Sequence, residues 1–186
     1  PAQILRLVLT MHTIALDPGN DAGIAIFSAD KRLLFATVAD FKDRERMPRK
    51  GGYSVCGALG LIPHRTPVQI AYERPVVRRP GDSPASPESI VTLSITLGKW
   101  LGYIETRLEG YPLQLYPFTP EAWKRNIPKE VCEHRARSIL DPREVELADG
   151  DLGRLAPSVR HNGWDAIALG LVGINRAKAG VLPRIL

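Results

Sequence analysis

Thr13-Ile14-Ala15-Leu16-Asp17-Pro18-Gly19-Asn20-Asp21-Ala22-Gly23-Ile24-Ala25-Ile26-Phe27 reads as two short apolar strands joined by a Gly-containing turn, and the first strand ends on a carboxylate. An acid at the end of an apolar strand is poorly placed to build a core, because an unpaired buried charge is costly unless a metal or another cation meets it. The pattern recurs twice. Val68-Gln69-Ile70-Ala71-Tyr72-Glu73 ends a second apolar strand on an acid, and Asp165 opens the helical run Asp165-Ala166-Ile167-Ala168-Leu169-Gly170-Leu171-Val172. Three acids at element ends point to one site.

Working outward, residues 32–39 form a third strand after the turn sequence Ala29-Asp30-Lys31, so the first three strands make an antiparallel meander. Residues 40–53 are charged and then broken by Gly51-Gly52, which predicts a loop with a short helix around residues 54–61. The Glu73 strand runs into a proline-rich surface loop from Arg74-Pro75 to Ser86. Ser86-Pro87-Glu88 is a helix start: Ser caps free amides, Pro is tolerated at the first helical position, and Glu suits the positive end of the dipole. The helix runs to about Leu108 with Ile90, Leu93, Leu97, Leu101, Ile104 and Leu108 at spacings of three and four, a face for the sheet or for a partner subunit. Gly98 and Gly102 in its middle each cost roughly 1 kcal/mol relative to Ala, which points to close approach of another helix.

Leu113-Gln114-Leu115-Tyr116 predicts a fifth strand, and Thr119-Pro120-Glu121 caps a helix carrying Trp123 and Lys124. Residues 129–140 continue helical after Pro128, residues 141–160 are polar and irregular, and a closing helix opens near Asn162. The expected fold class is α/β: a mixed five-stranded sheet, three antiparallel strands and then parallel ones, with helices on both faces. Such a sheet brings the first and fourth strands together and sets Asp17 beside Glu73.

At 186 residues, 44% hydrophobic and 24% charged, the chain is long enough for one domain with a substantial core. Residues 1–10 precede Met11 and are expected to be an upstream extension, leaving 11–186 as the domain. No run approaches the roughly 18 apolar residues of a membrane span. Cys56 and Cys132 have no paired spacing, which argues against a zinc module or a disulfide framework and fits a reducing, cytoplasmic compartment.

The formal net charge of +5 favours a polyanionic partner. Basic residues cluster at Lys42, Arg44, Arg46, Arg49 and Lys50, at Arg74, Arg78 and Arg79, and at Lys124, Arg125, Lys129, Arg135 and Arg137. Those flanking the acids, Arg74, Arg78, Arg79, Lys124, Arg125 and Lys129, are the candidate phosphate contacts. Each acid has a bland alternative: Asp17 as a turn former before Pro18-Gly19, Glu73 in an ion pair with a following arginine, Asp165 as a helix-terminal charge. Their joint arrangement favours a site. Tyr53, Trp100, Trp123 and Trp164 read as packing residues rather than base-stacking ones, and His12, His64 and His134 as structural or surface groups.

Leu16-Asp17-Pro18-Gly19 with Gly23-Ile24-Ala25, then Ala71-Tyr72-Glu73, then Thr119-Pro120-Glu121-Ala122-Trp123-Lys124, and last His161-Asn162-Gly163-Trp164-Asp165-Ala166-Ile167-Ala168-Leu169, together resemble the RuvC-type Holliday-junction resolvases of the ribonuclease H-like superfamily, in particular their phage and organelle branch. The resemblance covers about residues 11–177. It implies a ribonuclease H-like sheet, a homodimer, four-way or branched DNA as substrate, and two Mg²⁺ or Mn²⁺ ions per active site held by acids. By position, Asp17, Glu73 and Asp165 match three of the four ligands of that family. The fourth departs from the usual pattern, which has an acid or His about one helical turn before the final Asp; here that turn offers His161 and Asn162. Imidazole is a good Mn²⁺ ligand and can move a proton near neutral pH, whereas an amide is a weak ligand that commonly caps a helix, so His161 is expected as the catalytic ligand and Asn162 as the cap.

The chemistry accounts for the residue types. Mg²⁺ prefers oxygen ligands, and carboxylates that would repel one another become stable around dications. Two rival classes share parts of this pattern. Actin-like sugar kinases and ATPases use a similar hairpin but need two such domains to enclose a nucleotide. A related ribonuclease H-like nuclease acting on structured RNA or flaps, or a branched-DNA-binding protein without catalysis, would share the whole fold.

Overall fold

Burial on both faces makes the quoted stretch the middle of the sheet. In the computed structural model, which describes residues 11–45, 54–76, 86–124 and 127–177, β1 (His12–Asp17) pairs antiparallel with β2 (Ala22–Phe27) and parallel with β4 (Val68–Glu73). β3 (Leu33–Ala39) flanks β2 antiparallel, and β5 (Leu113–Phe118) extends the sheet beyond β4 in parallel. The order β3-β2-β1-β4-β5 is the mixed five-stranded arrangement expected, three antiparallel strands followed by parallel ones. Strands covered on both sides need no polar alternation, which is why β2 reads Ala-Gly-Ile-Ala-Ile-Phe.

Alternate residues of β1 feed two cores. Ile14 and Leu16, with Ile24, Ile26 and Ile70, pack under α1 (Val55–Leu59) and α2 (Pro87–Arg107), where Trp100 and Ile104 are fully buried. Ala15, Ala25 and Phe27 face the other side, against α4 (Lys129–Ile139), α5 (Pro142–Leu152) and α6 (Pro157–Gly173). The short α3 (Pro120–Trp123) leads from β5 to this second layer. α6 is buried from Gly163 to Val172, and a helix apolar on all sides belongs in the centre of a structure. Close seating needs small residues at two contacts. A Cβ on Gly23 would lie 1.9 Å from the Asn162 carbonyl oxygen, and one on Gly170 would lie 2.2 Å from the Phe27 ring.

Several caps follow the sequence reading. Ser86 accepts from the Ser89 amide with Pro87 in the first turn of α2, and Thr119 accepts from the Ala122 amide. Residues 141–160 differ from it. They hold α5, whose Asp141 and Glu144 form a capping box, and the start of α6 at Pro157, well before Asn162. The polarity of α5 has a use beyond solvation. Glu144, buried, accepts from the Leu33 amide of edge strand β3 at 2.6 Å and pairs with Arg176 through both carboxylate oxygens, at 2.7 and 2.9 Å. Asp151 of the same helix accepts from the Ala36 backbone, so one helix blunts the β3 edge with two carboxylates.

α2 also departs from expectation. Leu97, Ile104 and Leu108 cover the sheet, but a Cβ on Gly98 or Gly102 would meet nothing within 4 Å, so no helix among the described residues approaches there. The exposed large hydrophobic residues among those described are Val91, Ile95, Leu115 and Tyr116, all on α2 and β5. No helix among the described residues is long and apolar enough to cross a membrane.

Candidate active site

The β1–β4 register aligns Leu16 with Tyr72, and the next step sets Asp17 beside Glu73 at the C-terminal ends of adjacent parallel strands. α6 crosses the same end of β1 and β2. Asp17 is opposite Gly23, and Gly23 is where the Asn162 backbone touches the sheet, one turn before Asp165. The lack of a side chain at Gly23 therefore sets how near the α6 acid comes to the strand acids.

The consecutive residues Trp123 and Lys124, at the end of α3, tie the acids together. The Trp123 indole Nε1 donates to Glu73 Oε2 at 2.8 Å, and the Lys124 ammonium donates to Asp165 Oδ2 in an ion pair whose side chains are only 15% and 7% exposed. Burial alone would lower the Lys124 ammonium's pKa. The Asp165 carboxylate reverses this by charge and hydrogen bond, and Cys132 and Asp17 add to it, so the net shift is upward and the lysine is charged. Asp17, Asp165 and Lys124 thus share one electrostatic neighbourhood. Cys132 of α4 joins it. Burial first, and then the negative charge of Asp165, push its thiol above the ordinary range, leaving it an unreactive neutral group packed beside the acid.

His161 lies four residues before Asp165 on α6, half-buried and on the same side of the helix. Asn162 does not cap α6. It sits in the second turn, and its amide donates to the Asp21 backbone carbonyl at 2.7 Å, fastening the β1–β2 turn to the helix. Lys124, expected among the phosphate contacts, holds Asp165 in this structure. Arg74 is exposed directly after Glu73, its backbone amide continuing the ladder to Phe118. Arg78, Arg79 and Arg125 lie outside the described residues, as does the side chain of Lys129, which opens α4. Arg137 is engaged with Asp149 and Glu133 and lies over the Trp164 ring at 4.3 Å, a tie between α4, α5 and α6.

Sequence reasoning missed the polar role of Trp123. The packing assigned to it is right, since it is fully buried, but its indole also orients Glu73. The signal was the adjacency of Trp123 to Lys124, at a point where the chain leaves a parallel strand on the side of the acids.

The chain matches no family model and no curated protein sequence.

Whether these residues fit divalent metal can be judged from the donors. Asp17, Glu73 and Asp165 offer only carboxylate oxygens, the preference of Mg²⁺ and Mn²⁺. Asp165 Oδ1 is buried without a hydrogen-bond partner, an arrangement that costs free energy unless something cationic meets it. Among the described residues, however, no three His, Cys, Asp or Glu side chains stand close enough together to hold an ion. The donor set fits in kind, but holding an ion there would require these side chains to move closer together.

Proposed function

We propose that this chain is a metal-dependent, structure-selective endonuclease that cuts four-way or other branched DNA by phosphodiester hydrolysis, in the manner of the RuvC-type resolvases its motifs resemble. The observation that carries the reading is that three separate motifs bring their acids to one end of the sheet: Asp17 and Glu73 end adjacent parallel strands, and the consecutive Trp123 and Lys124 bond Glu73 and Asp165. That end of an open α/β sheet is where ligands generally bind. Asp165, a buried carboxylate with an unpartnered oxygen beside two half-buried acids at strand ends, disfavours a purely structural use, because a core gains nothing from such a group.

In this reading Asp17, Glu73 and Asp165, with His161 as the fourth donor, hold two Mg²⁺ or Mn²⁺ ions. When bound, such ions would supply an activated water and charge stabilisation of the leaving oxygen. The chain's own residues do the rest. Trp123 fixes the orientation of Glu73, and Arg74, with Arg78, Arg79, Arg125 and Lys129 of the same basic sequence segments, is assigned to phosphate contacts. A junction with approximate two-fold symmetry calls for a homodimer with two sites. The exposed Val91 and Ile95, continued by the open Gly98 and Gly102, give α2 a stripe on which a second copy can pack.

The test is cleavage and gel-shift on a four-way junction for Asp17→Asn, Glu73→Gln and Asp165→Asn, each expected to abolish cutting while binding survives, since affinity comes mainly from phosphate contacts. His161→Ala is expected to lower single-turnover cleavage by at least about a hundredfold, and Asn162→Ala to cost mainly stability, on the order of 1 kcal/mol from the lost bond to Asp21. Near-native cleavage by any of the three acid variants refutes the assignment. A panel adding flap, fork, duplex and RNA-hybrid substrates separates junction cutting from the broader activity of a related nuclease.

A further inference from the structure

Lys124 stands in an unusual position. Its ammonium occupies one oxygen of Asp165, while the other, Oδ1, is buried and unpartnered, and Asp17 is near enough to act on the same ammonium by charge. One residue earlier, Trp123 binds Glu73, and the Lys124 ammonium lies 5.4 Å from the Trp123 ring centre. The Lys124 ammonium thus already serves Asp165, and by charge Asp17, on a four-carbon stem flexible enough to withdraw.

We propose that Lys124 is a resident counter-ion, which neutralises the acid cluster in the metal-free protein and which a divalent cation must displace from Asp165. This rests on the reading of the cluster as a metal site. A dication brought onto Asp165 would meet the Lys124 ammonium at close range, and low exposure leaves little water to screen their repulsion. The ion-paired state is therefore the one that does not bind metal, and the apparent affinity is reduced by the fraction of molecules in which Lys124 has swung away. Displacement also frees a positive side chain at the mouth of the site for a phosphate only once metal is present. Lys124 acts through Asp165 and is a positioning residue.

The experiment measures metal binding without DNA. Mn²⁺ is titrated calorimetrically into wild type, Lys124→Met, which keeps the stem and drops the charge, and Lys124→Arg, which keeps the charge. If pairing is populated nine times in ten, Lys124→Met binds Mn²⁺ at least about tenfold more tightly than wild type, and Lys124→Arg no more tightly. In chelator, Lys124→Met melts below wild type because Asp165 has lost the ammonium it pairs with, and Mn²⁺ raises its melting temperature more than it raises that of wild type. Should Lys124→Met fail to fold, the unaltered protein still decides: with ¹⁵N-labelled lysine, the Lys124 ammonium signal, assigned by its absence in Lys124→Arg, leaves its ion-paired position on addition of Mg²⁺. Equal or weaker Mn²⁺ binding by Lys124→Met, or a Lys124 signal that Mg²⁺ at saturation leaves unmoved, overturns the counter-ion role alone. Failure of wild type and Lys124→Met alike to bind Mn²⁺ overturns the metal reading itself.

Discussion

Gly23→Ala tests whether the α6 acid is held against the strand acids by close backbone contact. The added Cβ would fall 1.9 Å from the Asn162 carbonyl oxygen and 2.5 Å from its carbon, and 3.2 Å from the Ala166 Cβ. These neighbours are backbone and a short side chain, so no rotamer change relieves them. Reaching an ordinary contact of 3.4 Å from 1.9 Å requires about 1.5 Å of movement between α6 and the sheet at the register position of Asp17. Overpacking of this kind costs about 1–3 kcal/mol, and more where backbone is the obstacle. For a chain of 186 residues that is a fall in melting temperature on the order of 5–10 °C.

The functional effect should exceed the loss of stability. Asp165 lies one turn beyond the clash, and a displacement near 1 Å in a reacting geometry costs on the order of a hundredfold in rate. Well below its melting temperature, Gly23→Ala is expected to remain folded by circular dichroism, to bind a junction like wild type, and to cut it about a hundredfold more slowly. A variant with native melting temperature and native cleavage would mean that α6 does not seat on Gly23, and the account of how the site is assembled would fail. A folded variant with the expected instability and full activity would leave the packing standing and refute its link to the acids.

Arg176→Ala leaves Glu144 buried without its cation and should cost about 3–5 kcal/mol, read as a fall in urea midpoint at unchanged slope. Burial alone would raise the Glu144 pKa, but Arg176 and the Asp141 and Leu33 amides outweigh it and hold the pKa below the ordinary 4.5; its stabilisation is therefore complete above that value and lost as pH falls through the lower, folded one. Glu144→Gln should accordingly remove part of the acid destabilisation that wild type shows below about pH 4.5, and melting curves of equal steepness for the two proteins would contradict it. Trp123→Phe keeps the buried ring but loses the bond to Glu73, and should lower cleavage by roughly 10–100-fold with junction binding unchanged; native turnover would show that Glu73 needs no orientation. Ile95→Asp, at a position 54% exposed, should leave the melting temperature of the monomer unchanged and shift sedimentation from dimer to monomer at micromolar concentration; an unaltered dimer would place the interface elsewhere.

The sheet was legible because its central strands obey a local rule. β1, β2 and β4 are short, largely apolar runs, two of them ending on an acid, and such runs on this scale have few alternatives in an α/β chain. α5 was not legible because its sequence is dominated by charge. Glu144 and Asp151 look solvent-directed until edge strand β3, more than a hundred residues earlier in the chain, supplies the amides they accept from. The start of α6 was misplaced for a related reason. Asn162 is a good cap in isolation, but Pro157 begins the helix and the Asn162 amide serves a turn across the sheet. Gly98 and Gly102 show the opposite error: small residues permit a close neighbour without guaranteeing that the same chain provides it.

The acids and the lysine separate along the same line. Asp17 and Glu73 could be assigned by counting, because strand ends and parallel register are one-dimensional facts that survive in sequence. Lys124 could not, because a lysine beside Arg125 in a basic segment has the same local signature whether it faces phosphate or a buried carboxylate. Only the position of α3 against α6 distinguishes the two, and it turns the residue from an expected contact with substrate into the partner of Asp165. The consequence is chemical. With the Lys124 ammonium on Asp165 that buried carboxylate is partly neutralised, whereas losing it would leave the charge buried with no other ion pair among the described residues. If the proposed metal reading holds, the lysine that pairs with the buried Asp165 competes with the cation that catalysis would need, so the pairing that favours folding opposes metal binding.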